Sequence, residues 1–135
     1  MPNNVAIHFN AHGQINGWMP KNTNFIQSCM LIFIITLSFV GVPYIVNNIP
    51  DDLLSIPNKD YWLSTDNKER LIKIISKYMY SIGLAINLFM IFIFHQIYRF
   101  NIRAVNNVSL IGIVPLLIII LGFTIHLLVH LNKCV

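Results

Sequence analysis

Three stretches of the chain, residues 22–50, 78–98 and 104–132, carry no Asp, Glu, Lys or Arg and are 29, 21 and 29 residues long. Runs within them, such as LIFIITLSFV and PLLIIILGF, are apolar on every face a helix would present. A soluble three-helix bundle would show polar side chains recurring at helical spacing, and these runs show none. A hydrocarbon core of ~30 Å takes roughly 20 apolar helical residues, so each stretch holds one span. The pattern predicts an all-α membrane protein with three transmembrane helices at about 25–46, 79–98 and 108–131.

The segment before the first span alternates. Val5, Ile7 and Phe9 interleave with Ala6, His8 and Asn10, the period of a half-buried strand. Gly13 and the Asn16-Gly17 pair follow as turn formers. Residues 1–24 therefore read as an extracytoplasmic hairpin-like cap turning at Asn16-Gly17, with Trp18 at the membrane interface. Residues 25–135 form the three-helix domain.

A loop over 47–77 joins the first two spans and holds all five acidic residues. Pro57 to Asp60 reads as a turn, and Tyr61, Trp62 and Leu63 as side chains against the headgroups. Ser64 or Asp66 is placed to cap a new helix, Asp66 and Glu69 having capping-box spacing. A helix from there to Tyr98 is ~48 Å long, more than the bilayer needs. Its first turns set Leu71, Ile72, Ile74 and Ile75 against Lys68, Lys73 and Lys77, an amphipathic extension suited to the membrane surface or a partner helix. The short link from Arg99 to Asn107 makes the last two spans antiparallel neighbours.

Composition agrees, with 56% apolar and only 10% charged residues where globular domains carry about a quarter charged. The net charge of +4 is spread along membrane edges, which speaks for topology and against nucleic-acid binding. Lys59, Lys68, Arg70, Lys73, Lys77 and Lys133 fall on one side, Lys21, Arg99 and Arg103 on the other. Six against three places the loop and the C-terminus in the cytoplasm and the N-terminus outside, as a multi-pass protein of the cell (inner) membrane. Cys29 and Cys134 lie at opposite faces, too far apart for a disulfide. The first 24 residues lack the basic start and apolar run of a signal peptide, so the first span serves as the insertion signal.

Candidate chemistry is sparse. His8 and His12 are metal candidates by spacing, but on a strand residues four apart are separated by about 13 Å, so a His8 that orders the cap by hydrogen bonding is the competing reading. His126 and His130 share a face of the third helix and are candidates for a cofactor, a metal or proton transfer. Interhelical packing and a lipid-facing interfacial place are the alternatives. His95 lies at the other membrane face, so no equal-depth histidine pair for a haem is evident. Asn87, His126, Ser81 and Tyr44 are expected as interhelical polar contacts. No nucleophile with a base, no phosphate loop and no paired carboxylates occur in the spans. The expectation is a non-catalytic protein without a cofactor.

The opening Met1-Pro2-Asn3-Asn4-Val5-Ala6-Ile7-His8-Phe9-Asn10, with Gly13, Gly17-Trp18 and Lys21, resembles the signature of the domain of unknown function 1648. Ile56-Pro57-Asn58-Lys59-Asp60-Tyr61-Trp62-Leu63 is similar to a loop in short members of that family. The resemblance implies a bacterial or archaeal membrane protein related to SdpI-type peptide-toxin immunity proteins. It marks Val5, Ile7, His8, Phe9, Asn10, Gly13, Gly17 and Trp18 as motif residues for partner contact. Members usually have a membrane helix before this motif, so the expectation is that such a helix was lost or that the start was assigned late. A cap held only through Pro20 and Lys21 is then expected to order against another protein or that helix.

Two functions are expected from these features. Three thin spans bury little surface among themselves and suit an accessory subunit of a larger membrane assembly or a homo-oligomer, in contact with lipid. The alternative is a self-contained envelope sensor or immunity-type protein.

Overall fold

The structure, a computed structural model, describes residues 2–10, 12, 14–103 and 113–133. Two strands, β1 (Asn4–Phe9) and β2 (Ile15–Pro20), precede a long helix α1 (Lys21–Asn48). A single 3-10 turn (Asp51–Leu53) and the short α2 (Lys59–Trp62) lead to α3 (Lys68–Asn101), and α4 (Ile113–Lys133) closes the order. Three of these helices, α1, α3 and α4, are long and apolar enough to cross a membrane. Gly13, Cys134 and the 104–112 part of the second link and third span lie outside the described residues.

The middle helix organises the rest. Leu71, Ile75, Tyr78, Ile82 and Ala85 are buried on α3, recurring at spacings of four and three, the seam of left-handed helix packing. Both α1 and α4 lie along α3, while no comparable α1–α4 contact occurs among the described residues. Gly83 sits where α1 crosses: a Cβ there would lie 2.7 Å from Cβ of Phe39, so only glycine permits this approach. One turn on, Asn87 Nδ2 donates to Thr36 Oγ1 at 3.1 Å and to the Gly83 carbonyl at 3.0 Å.

At the start of α3 the loop folds back as a plug. Trp62 is completely buried against Leu71, Ile75 and Leu131, with Val42, Val46 and Leu127 around it. The last carbonyls of any helix lack intrahelical donors. Here Trp62 Nε1 donates to the Leu131 carbonyl at 3.0 Å, and Asn58 Nδ2 to those of Leu131 and Asn132 at 3.3 and 3.2 Å. Asn58 adopts φ 52°, a left-handed conformation that asparagine tolerates better than most residues, and the turn expected over Pro57 to Asp60 is confined to Pro57 and Asn58, because Lys59 and Asp60 already belong to α2. The headgroup position expected for Trp62 is corrected, because capping α4 gives its indole N–H a buried acceptor. The cap expected from Ser64 or Asp66 is also absent: Asn67 precedes α3 without a side-chain cap bond, and the Ser64 hydroxyl donates to the Tyr61 carbonyl.

Candidate functional site

The hairpin differs from its predicted form. β1 and β2 pair antiparallel, Asn4 with Pro20, Val5 with Met19, Ala6 with Trp18, His8 with Gly17 and Phe9 with Ile15. Asn16-Gly17 therefore lies inside β2, and the turn is built by Asn10 instead. The Asn10 side-chain oxygen accepts the N–H groups of His12 and Gln14, and the Asn10 N–H donates to the Gln14 carbonyl. Such a side-chain-closed turn outweighs the Asn-Gly dipeptide as a local signal. Gly17 is still required, since a Cβ at 17 would stand 2.7 Å from that of His8 across the ladder. Skipped pairings at Ile7 and Asn16 break the alternation. Val5 and Ala6 are both fully buried, Ile7 and Phe9 half-buried, and Trp18 is exposed.

The hairpin is also tied to α3. Asn101 Oδ1 accepts the Ala6 N–H at 2.7 Å, and Asn101 Nδ2 donates to the Ala6 carbonyl at 2.9 Å. The carboxamide thus takes both outward-facing backbone groups of the β1 edge, as a neighbouring strand would. Phe9 meets Phe100 edge-to-face with ring centroids 4.9 Å apart. The expected tether through Pro20 and Lys21 alone is corrected: the cap packs on its own chain. No sequence signal announces Asn101, whose partner lies 95 residues away.

At the opposite end of α3 the predicted histidines converge on a residue that sequence reasoning missed. Tyr78, buried on α3, is hydrogen-bonded through its hydroxyl to Nδ1 of His126 on α4. The His130 ring centroid is 6.3 Å from that of His126 and 6.5 Å from that of Tyr78, and its buried Nδ1 has no hydrogen-bond partner among the described residues. A cleft of about 460 Å³ opens beside them between α3 and α4, lined by Lys77, Tyr78, Ser81, Ile119, Gly122, Phe123 and His126. Tyr78 at the edge of a span reads as an interfacial anchor; its place on the buried seam of α3, at heptad spacing from Leu71, is the signal that could have found it.

Of the lysines on this part of α3, two have acidic partners. Lys68 pairs with Asp51 at 2.7 Å and Lys73 with Glu69 at 2.6 Å. Glu69 lies in the amphipathic first turns, outside the apolar stretch, where the hydrogen bond and positive charge of Lys73 hold its carboxyl below the ordinary value. Lys77 meets no carboxylate among the described residues. Among the described residues, Ser81 donates to the Lys77 carbonyl of its own helix and Tyr44 is 73% exposed on α1, whereas Asn87 and His126 are hydrogen-bonded across helices.

The remaining candidates stay apart. His8 is exposed opposite Gly17, His12 lies in the turn and His95 is exposed near the hairpin end of α3. Among the described residues no group of three or more His, Cys, Asp or Glu is placed to hold a metal ion.

No curated protein and no solved structure matches the chain. Residues 1–34, which contain the hairpin and the first half of α1, match the family model of the Domain of unknown function (DUF1648), in agreement with the resemblance carried by Val5-Ala6-Ile7-His8-Phe9 and Gly17-Trp18.

Proposed function

We propose that this chain is a non-catalytic accessory subunit of a larger membrane assembly, or a unit of a homo-oligomer, in a bacterial inner membrane. The observation that carries the reading is the arrangement of the spans as a row with α3 in the middle. Only 6% of the long apolar stretch of α1 is buried, and 11% of that of α4. A groove beside α1 also offers Asn24, Gln27 and Ser28 next to Phe94, polar groups of the kind that join membrane helices. The full chain extracted in mild detergent is expected to elute with a stoichiometric partner or as an oligomer. Elution as a lone monomer would contradict the proposal.

A docked hairpin with Trp18 60% exposed favours a second reading, an extracytoplasmic sensor or immunity-type protein. Resistance to a membrane-active peptide conferred by this gene alone would select it.

The orientation proposed for either reading follows from the basic residues, with the hairpin outside and the loop inside. An impermeant thiol reagent applied to intact cells should label Asn16→Cys and leave Cys134 unmodified. Labelling of Cys134 from outside reverses the topology.

A further inference from the structure

We propose that the cleft between α3 and α4 holds an anionic phospholipid, its phosphate against Lys77 and the Tyr78–His126 pair and an acyl chain along Ile119, Gly122 and Phe123. The inference rests only on the helices lying in a bilayer, not on the accessory-subunit reading.

Charge complementarity selects this occupant. Glu69, Lys73 and Lys77 follow one another at intervals of four along α3, so a single acid serves a row of two cations. Lys73 takes Glu69, and the chain has no Asp or Glu after residue 69. Lys77, which lines the cleft at the edge of the span where anionic headgroups lie, meets no carboxylate among the described residues. The hydrogen bond to Tyr78 uses Nδ1 of His126 and leaves Nε2 as the ring's remaining polar atom. The other wall is apolar, and a Cβ built on Gly122 meets nothing within 4 Å, so the space beside it is open. A lysine on the lining together with Ile119, Gly122 and Phe123 matches a ligand with an anionic head and a hydrocarbon tail.

The test uses the full chain in mild detergent, with native mass spectrometry after adding phosphatidylglycerol or phosphatidylcholine. The wild type should retain one phosphatidylglycerol in preference to phosphatidylcholine by about fivefold, the factor one basic residue carries near an anionic surface. Lys77→Gln should abolish the preference, and Gly122→Leu, which fills open space, should lose the bound lipid. Lys73→Gln should keep both. Equal retention of the two lipids by the wild type overturns the proposal, as does an unchanged preference in Lys77→Gln or unchanged retention in Gly122→Leu. Displacement of phosphatidylglycerol by inorganic phosphate also overturns it, by showing a site for a free anion.

Discussion

Trp62→Ala is expected to detach the loop from the end of α4 and to cost about 3–5 kcal/mol, the range for deleting a large buried aromatic side chain. The indole is completely buried, and its N–H caps the Leu131 carbonyl, so the substitution empties a packed site and strips a donor together. Trp62→Phe keeps most of the apolar contact and loses the hydrogen bond, a change of about 1 kcal/mol. Thermal unfolding in detergent, with limited proteolysis of the 49–67 loop, reads both. Wild-type melting and protection in Trp62→Ala would mean that the plug does not hold α4.

Gly83→Val should force α1 away from α3. The new Cβ would start 2.7 Å from that of Phe39, which is fixed to the α1 backbone and cannot swing aside. Overpacking of this kind costs about 1–3 kcal/mol, and the displacement also opens the Asn87–Thr36 hydrogen bond one turn away. Gly41→Val is the control, because a Cβ at 41 meets nothing within 4 Å. Equal melting temperatures for the two variants would refute a close crossing at Gly83.

The three spans are legible in the sequence because apolar runs of this length have few other solutions. The strand over Val5 to Phe9 is legible from its alternation. Its partner's position is not, because Asn-Gly is a strong local turn signal and the competing turn depends on four hydrogen bonds made by Asn10 with His12 and Gln14. Trp62 is misplaced for a related reason: an indole beside a membrane suits the interface, and only the tertiary position of α4 offers it a buried carbonyl. Asn87 and His126 can be found because a polar side chain within a span needs a partner, whereas Tyr44 can stay exposed and Ser81 can bond its own helix.

The tie between Ala6 and Asn101 joins positions 95 residues apart. Loop closure over that distance must follow the threading of both intervening spans, so this contact forms late in biogenesis. Until α3 has crossed the bilayer and brought its last turn beside the start of α1, the β1 edge has no carboxamide to cover it. The docked hairpin therefore reports that the first two spans are in place, whatever the state of α4: a chain stalled after its first span displays the open edge, and one whose α3 has crossed covers it.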